Sequence, residues 1–327
     1  MKLVKRPPKR KAFKARPKPA YWKAIHDGAF RRIPAFRRAF KATMREASDG
    51  VPLSKLVGLL ERNRPDLAVE LFSRDLIEAA YGKRLLPLIK EGMQSAAKTA
   101  LPTVTEFGKA YSTPPSTVTP GPTLPNIAEL LTMANPSAIR AAALLAAAEV
   151  TVIAAGTKAA LREIIRQAQE TGIAIPDQAQ RIARELKAVA NGITEPQAKT
   201  LGRLKDGWRE AGLSEARIVE LTKQTTERMI NQRSLVIARN ETMESASRGV
   251  EELWNNAVRQ DLIPADVERE WLTQPGLDAQ NPCPICRGMN GQKRPLGQPF
   301  QSPYNGATAK RPPIHIACLC IVVLARR

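Results

Sequence analysis

Aromatic residues, cysteine and histidine are all scarce in this sequence. Aromatic side chains make up 5% of the chain, so a large β-sandwich is not expected. The four cysteines all lie between Cys283 and Cys320, which excludes a disulfide-rich scaffold because nothing could cross-link the residues before them. No apolar segment follows the basic N-terminus, so we expect no secretory signal and a protein that is made in a reducing cytosol.

Long apolar runs are also absent. The best membrane-spanning candidate, Ala141 to Gly156, is interrupted by Glu149 and flanked by Arg140 and Lys158. It falls short of the roughly 20 apolar residues that a bilayer requires. We therefore predict a buried helix of a soluble protein and no membrane partner.

Positive charge is abundant but unevenly distributed. The chain has 51 Lys and Arg against 31 Asp and Glu, a formal net charge of +20. Residues 1–46 hold 16 of these bases and only Asp27 and Glu46, which gives +14 and leaves +6 for the other residues. The excess charge therefore belongs to an N-terminal basic arm, whose partners would be nucleic-acid phosphates or an acidic protein surface.

Composition divides the chain into five segments. Lys2 to Pro19 mixes bases with proline, which opposes a continuous helix, whereas 21–46 has apolar residues at helical spacing. That second stretch either lies on an anionic surface or docks its apolar stripe on the rest of the protein. The predicted segments are a basic arm over 1–46, a helical subdomain over 47–100, a Pro/Thr-rich extended linker over 101–126, a helical core over 127–260 and a Cys/His module over 261–327.

The helical core and the last segment differ in their patterns. Asn135-Pro136, Gly192, Gly212 and the Thr194/Gln197 pair are typical helix start and stop signals. After Pro264 the apolar period shortens, which predicts strands at Val267–Thr273 and Leu319–Leu324. The predicted fold is mainly α, with a helical body, a small α+β C-terminal module and an extended basic N-terminal arm.

The most specific chemical pattern is a cluster of cysteines and one histidine. It consists of Cys283, Cys286, His315, Cys318 and Cys320. Cys-x-x-Cys followed by His-x-x-Cys has the spacing of a tetrahedral zinc site, in which one of the last two cysteines would be spare. Four protein ligands leave no open position for water, so the zinc would be structural. The alternative is a group of free cysteines at the edge of a small core; a redox pair is less favoured because no βαβ scaffold is visible.

Catalytic motifs are missing. There is no phosphate-binding glycine loop, no nucleophile elbow and no Asp-rich metal motif, so we expect no enzyme activity. Glu241, Glu244, Glu251 and Glu252 are predicted to form the solvated face of one helix.

Three segments in order resemble a known family. They are Arg233-Ser-Leu-Val-Ile-Ala-Arg-Asn-Glu-Thr242 with Gly249 and Trp254, then Glu270-Trp-Leu-Thr273 with Cys283-Pro-Ile-Cys286, and finally Pro312-Pro-Ile-His-Ile-Ala-Cys-Leu-Cys320. This combination, over about residues 130–325, resembles the phage Mu F-like minor head proteins, also called phage head morphogenesis proteins. The sequence departs from that family at Asn240, Ile316 and Leu319, where Thr, Pro and Arg are usual.

The resemblance implies a low-copy capsid component of a tailed phage. Such a protein is associated with the portal and with capsid or scaffold proteins, is needed to assemble DNA-filled heads, is put together in the host cytoplasm and remains in the virion. The basic arm would then meet packaged double-stranded DNA or an acidic portal surface. The candidate DNA contacts are Lys9, Arg10, Lys11, Arg31, Arg32, Arg37 and Arg38. The alternative function is a non-virion DNA-binding or DNA-processing protein with a zinc module.

Overall fold

Helices dominate the computed structural model, which describes residues 19–111, 136–170, 174–274 and 282–325. The helices of these residues are α1 (Ala20–Asp49), α2 (Leu53–Glu61), α3 (Pro65–Glu70), α4 (Arg74–Arg84), α5 (Leu86–Tyr111), α6 (Pro136–Glu170), α7 (Ala179–Ala190), α8 (Glu195–Glu210), α9 (Glu215–Arg259) and α10 (Pro284–Arg287). The strands are β1 (Glu268–Leu272), β2 (Lys293–Pro295), β3 (Phe300–Gln301), β4 (Thr308–Ala309) and β5 (Ile321–Leu324). The prediction of a mainly helical protein with a small strand-containing C-terminal region is confirmed.

Several helix ends follow the signals in the sequence. Pro65 occupies the first turn of α3, where its missing N–H has no helical partner to lose. At the start of α8, the backbone N–H of Thr194 donates to Oε1 of Gln197 at 2.9 Å, as in a capping box. Gly192 and Gly212 follow α7 and α8 with φ of 117° and 74°, a region that side-chain-bearing residues rarely adopt. These local signals therefore set the bounds of α3, α7 and α8.

The described residues fall into two compact units. The first, here called the helical unit, comprises 29–94 and 136–245 and contains two apolar cores. One core lies among α2, α3, α7, α8 and the second half of α6, and includes Leu56, Leu161 and Leu186. The other joins α1, α4, α5, α9 and the first half of α6 around Phe36 and Phe40.

The second unit, here called the Cys/His unit, comprises 19–28, 95–111, 246–274 and 282–325. Its three-stranded antiparallel sheet has the order β2-β1-β5, and a separate β3-β4 hairpin precedes β5. The fully buried Trp271 of β1 packs edge-on against Phe300. The indole N–H of Trp22 donates to the carbonyl of Val322 at 2.9 Å, which fixes the start of α1 on β5. The predicted strands at 267–273 and 319–324 are present as β1 and β5.

The basic stretch that was predicted over 21–46 is part of the fold. It forms α1, and Trp22, Phe36, Phe40 and Met44 are at most 1% exposed. Of the two alternatives left open by the sequence, docking of the apolar stripe is therefore the one observed. The part of the predicted arm that the structure describes is helical, and α1 continues past residue 46 to Asp49; residues 1–18 lie outside the described part.

The predicted extended linker is wrong over 101–111. Helix α5 continues through Pro102 to Tyr111. The reason is burial: Ala100, Val104 and Phe107 recur at helical spacing and are at most 7% exposed, so packing outweighs the local preference of proline and threonine. The rest of the predicted linker, 112–126, lies outside the described residues.

Helix α6 contains the apolar stretch that was expected to be buried. Within the described residues, Ile139–Glu170 is the one segment long and apolar enough to cross a membrane, by length and composition only. A third of its most apolar window is buried. Leu144 and Val152 on the outer face are 65% and 66% exposed, so the expectation of a buried helix holds for one face only.

Candidate metal centre

A short turn of helix presents the first two cysteines. Cys283 precedes α10, and its carbonyl accepts the N–H of Arg287 at 3.0 Å. The N–H of Cys286 donates to Sγ of Cys283 at 3.4 Å, and the two sulfurs lie within 4.8 Å of each other. The hydroxyl of Thr273 donates to the carbonyl of Cys286 at 2.6 Å, which attaches the turn to the end of β1.

The other candidate ligands lie on the segment that enters β5. The N–H of Cys318 donates to the carbonyl of His315 at 3.1 Å, and Ala317 between them has a φ of 60°. This tight turn brings His315 and Cys318 together. Cys320 directly precedes β5. Because β5 pairs with β1, and the end of β1 is attached to the Cys283–Cys286 turn, Cys320 lies near that turn.

The five predicted side chains meet as two groups of three. Nε2 of His315 lies 2.9 Å from Sγ of Cys283 and 3.0 Å from Sγ of Cys286, and the Sγ atoms of Cys286 and Cys318 are 3.7 Å apart. Cys283, Cys286 and His315 form one group, and Cys286, Cys318 and Cys320 form the other, with all ligand atoms of each group within 4.8 Å of one another. The two groups share Cys286 and could hold a metal ion. The four-ligand shell that the spacing predicts is therefore present as two overlapping triads rather than as one tetrahedron.

The imidazole of His315 is oriented for ligation. Its Nδ1 lies 2.8 Å from the carbonyl oxygen of Ile316, and since that oxygen can only accept, Nδ1 carries the proton. Nε2 is then the unprotonated nitrogen and directs its lone pair at the sulfurs of Cys283 and Cys286. A backbone carbonyl in this position is the usual support for a metal-bound histidine.

Burial and mutual hydrogen bonding polarise the thiols. Cys286, Cys318 and Cys320 are at most 3% exposed. The pKa of Cys318 lies well below its ordinary value, because the thiols of Cys286 and Cys320 donate to its sulfur. The pKa of Cys286 is raised, chiefly by its hydrogen bond with Cys318. The cluster therefore favours one thiolate at its centre, which is the protonation state that binds metal.

A buried arginine braces the loops around this centre, and sequence reasoning missed it. Arg269 of β1 is fully buried and donates from Nη1 to the carbonyl of Lys310 at 2.7 Å and from Nη2 to that of Gln298 at 2.6 Å. Glu251 of α9 forms ion pairs with both arginines of this region: its Oε1 lies 3.5 Å from Nη1 of Arg269, and its Oε2 lies 2.7 Å from Nη1 of Arg311. Glu251 was predicted to be solvated; it is 7% exposed because it neutralises these two guanidinium groups.

The prediction of a solvated glutamate face is also wrong for Glu241, which lies in the helical unit. It is fully buried, and the hydroxyl of Tyr81 donates to its Oε2 at 3.4 Å. Burial and the nearby carboxyl groups of Glu149 and Glu244 raise the pKa of Glu241 well above its ordinary value. Burial also raises the pKa of the neighbouring Glu149.

A periodic signal could have revealed the burial of Glu241. Over 231–245 of α9, Thr242 and Met243 are 2% exposed, and the residues that are at most 1% exposed recur at helical spacing and are Ser234, Ala238, Glu241 and Ser245. Three of the four are small residues, which are typical of close helix packing. The stripe was hidden because Glu, Ser and Ala do not stand out as hydrophobic in the sequence.

The candidate DNA contacts do not share one environment. The structure does not describe Lys9, Arg10 and Lys11. Arg31 and Arg38 are exposed on α1. Arg32 lies 3.4 Å from Glu91, and Arg37 is half-buried with its Nε out of contact with solvent. Arg31 and Arg38 therefore remain available to a partner, whereas Arg32 and Arg37 are engaged with the fold.

Comparison of the chain with protein-family models, with curated proteins and with solved structures finds no match. The resemblance to phage head proteins therefore stays a prediction that is carried by the motifs of the sequence.

Proposed function

We propose that this protein is a minor head morphogenesis protein of a tailed phage, a low-copy virion component associated with the portal. The proposal depends most on the Cys/His cluster, because five residues spread over Cys283 to Cys320 meet in two groups that share Cys286. The motifs also follow one another along the chain in the order that is typical of this family.

The contacts of the Arg233–Thr242 motif support a structural reading of it. The guanidinium of Arg233 donates to the carbonyls of Gly192 and Ile193 at 2.9 and 3.1 Å and lies 5.9 Å from the ring centre of Phe40. Burial lowers the pKa of Arg233 to about 10, so the side chain remains charged at neutral pH. Arg233 therefore holds α9 against the α7–α8 turn and α1, which supports a structural role for this residue of the motif.

We assign zinc to the Cys/His cluster. Thiolate and imidazole donors favour zinc over hard cations such as Mg²⁺. Two thiolates on a tetrahedral zinc stand about 3.8 Å apart, given a Zn–S bond of about 2.3 Å, which agrees with the 3.7 Å between Cys286 and Cys318. Bound zinc would tie the α10 turn to the segment that enters β5, and would act as a structural cross-link rather than as a catalytic ion.

The fourth zinc ligand in this proposal is Cys318 rather than Cys320. Cys318 shares a hydrogen-bonded turn with His315, so a small side-chain rotation can bring its sulfur toward Cys283. Cys320 is 1% exposed and lies directly before β5, where it contributes to the apolar core.

The proposed partners are the portal and capsid proteins, together with packaged DNA. DNA inside a head presents phosphates at high density, and a basic segment binds them by counterion release without reading sequence. No enzyme activity is proposed.

A stop codon in the corresponding gene of the phage or prophage tests this function. Electron microscopy should show heads without DNA, and the wild-type protein supplied in trans should restore filled heads, whereas Cys283→Ser should not. Normal yields of filled heads without the protein would refute the proposal. They would favour the non-virion DNA-binding alternative if the protein were recovered on host DNA.

A further inference from the structure

We infer that one face of α1, formed by Arg31, Arg38 and Arg45, binds the phosphate backbone of double-stranded DNA. This inference rests on the proposed function, because it specifies where the folded body meets the DNA partner. Compared with the DNA contacts predicted from the sequence, the proposed face includes Arg45 and leaves out Arg32 and Arg37.

The charge of this part of α1 is of one sign. No Asp or Glu lies between Asp27 and Glu46, and the intervening 18 residues carry six Lys or Arg. A surface helix of a soluble protein usually mixes both signs, because pairs at i and i+4 stabilise it and like charges repel. An unmixed stretch of this length favours an anionic partner for those of its bases that have no contact inside the fold.

The six bases fall into two groups, three that contact the rest of the protein and three that do not. Arg32 pairs with Glu91, Arg37 is half-buried, and Nζ of Lys41 donates to Oδ1 of Asn231 at 2.9 Å. Arg31, Arg38 and Arg45 are exposed and have no ion pair or hydrogen bond with any residue that the structure describes. These three guanidinium groups are therefore free to bind a ligand without breaking an existing contact.

The three arginines are spaced along one face of α1. Seven residues are nearly two helical turns, so positions 31, 38 and 45 lie on one face at intervals of about 10.5 Å and span about 21 Å. Duplex DNA carries one negative charge per about 1.7 Å of its axis, so a duplex of this length carries about 12 phosphates on its two strands, of which those on the near side can meet the row. The row thus matches an extended, regular line of charge.

The support under the row is rigid. Phe36, Phe40 and Met44 lie between or beside the arginines in the sequence but on the inner face of α1, where they are at most 1% exposed. The backbone positions of the three guanidinium groups are therefore fixed before binding, which reduces the entropy lost on association.

Duplex DNA fits this face better than an acidic protein does. The exposed position between Arg31 and Arg38 is Pro34, and no large apolar side chain is exposed on α1. A specific protein interface usually has an apolar, often aromatic centre, which this face lacks. The acids near this face are Glu227, which lines a hollow of about 360 Å³ with Lys41 and Arg45, and the exposed Asp27 and Asp49, which lie four residues before Arg31 and four after Arg45. Arg31, Arg38, Lys41 and Arg45 outnumber these three acids, so the face has a net positive charge.

The test compares two triple variants of the full chain. The first, R31Q/R38Q/R45Q, removes the row. The matched control, K55Q/R62Q/R217Q, removes the same charge from exposed side chains elsewhere in the helical unit that have no ion pair within the described residues. Binding to a 30-base-pair duplex of mixed sequence is followed by fluorescence anisotropy between 50 and 200 mM NaCl. The bases before residue 19 are the same in all proteins, so differences report the substituted positions.

Each phosphate contact contributes about 0.9 to the slope of log K against log salt, so loss of the row should reduce the slope by about 2.7. Over a fourfold salt increase, wild type should therefore lose about 40-fold more affinity than R31Q/R38Q/R45Q. The control should keep the wild-type slope, and R31K/R38K/R45K should restore it.

Four results would overturn the inference. A wild-type slope in R31Q/R38Q/R45Q would place the contact elsewhere, and equal losses in both triple variants would reduce the effect to net charge. No salt-dependent binding by the wild-type chain would remove DNA as the partner in the proposed function as well. Retention of R31Q/R38Q/R45Q in filled heads, with wild-type DNA affinity, would refute this face and leave the proposed function intact.

Discussion

Replacing Glu241 by Gln should stabilise the helical unit at neutral pH and flatten its pH dependence. The folded-state pKa of Glu241 is raised by burial and by Glu149 and Glu244, so the folded state binds a proton that the unfolded state releases. Stability is therefore highest below the ordinary pKa of 4.5 and falls as pH rises toward the folded-state value. Gln keeps the shape of the side chain and an oxygen for the Tyr81 hydroxyl, but it has no proton to lose.

The size of the effect follows from linkage. One proton bound only by the folded state changes the free energy of unfolding by about 1.4 kcal/mol per pH unit, so the wild-type unit should lose up to about 2.7 kcal/mol between pH 5 and 7. The Gln variant should lose much less over that range. The remaining carboxyl of Glu149 can then accept a hydrogen bond from the new amide group, which removes part of the unfavourable interaction between the two acids.

Hydrogen exchange read by mass spectrometry measures this in the helical unit alone. Peptides from α6 and the first part of α9, corrected for the intrinsic exchange rate, give the opening free energy at pH 5, 6 and 7. Glu78→Gln is the matched control, because Glu78 is 54% exposed beside Arg74 and should leave the wild-type pH profile unchanged. A Glu241→Gln protein with the wild-type pH slope, or with lower stability than wild type at pH 7, would refute the reasoning.

Three further predictions concern packing and metal. Elemental analysis should find about one zinc per chain in wild type and in Cys320→Ser but not in Cys318→Ser; the reverse order would make Cys320 the ligand. Arg269→Ala should lower the stability of the Cys/His unit by about 3–5 kcal/mol in a thermal melt, because buried carbonyls and Glu251 lose their partner; a change below about 1 kcal/mol would contradict this. Gly92→Ala should destabilise by about 1–3 kcal/mol, since its Cβ would lie 2.7 Å from Oγ of Ser245; an unchanged melt would show that the serine rotates away.

Features with a strong local cause could be predicted from the sequence. The Thr194/Gln197 box, the turns at Gly192 and Gly212 and the strands around Trp271 and Val322 depend on short-range patterns, and the structure contains each of them. The Cys/His cluster belongs to the same group, because metal-ligand spacing is written in the chain itself.

Features decided by tertiary packing could not be predicted in this way. An extended linker was predicted from residue 101, yet α5 continues through Pro102 to Tyr111 because Val104 and Phe107 are buried. Glu241 and Glu251 were predicted to be solvated, and both are buried. Glu241 accepts a hydrogen bond from Tyr81, which is 160 positions away, and Glu251 pairs with two arginines that are 18 and 60 positions away. In each case the deciding contact is distant in the sequence.

Metal ligation shows a mixed result. The spacing identified all five candidate ligands, but it could not reveal that they form two triads around Cys286 or that the carbonyl of Ile316 fixes the tautomer of His315. Those details depend on the turn at Ala317 and on the β1–β5 pairing, which only the folded chain defines.

Quantitative mass spectrometry of density-purified phage particles tests the central claim most directly. If the chain is a minor head protein, its peptides should co-purify with DNA-filled heads at a few copies per particle, and a fixed ratio to the portal protein should persist after salt washing. Absence of its peptides from purified filled heads, with the protein abundant in the remaining lysate, would contradict the account.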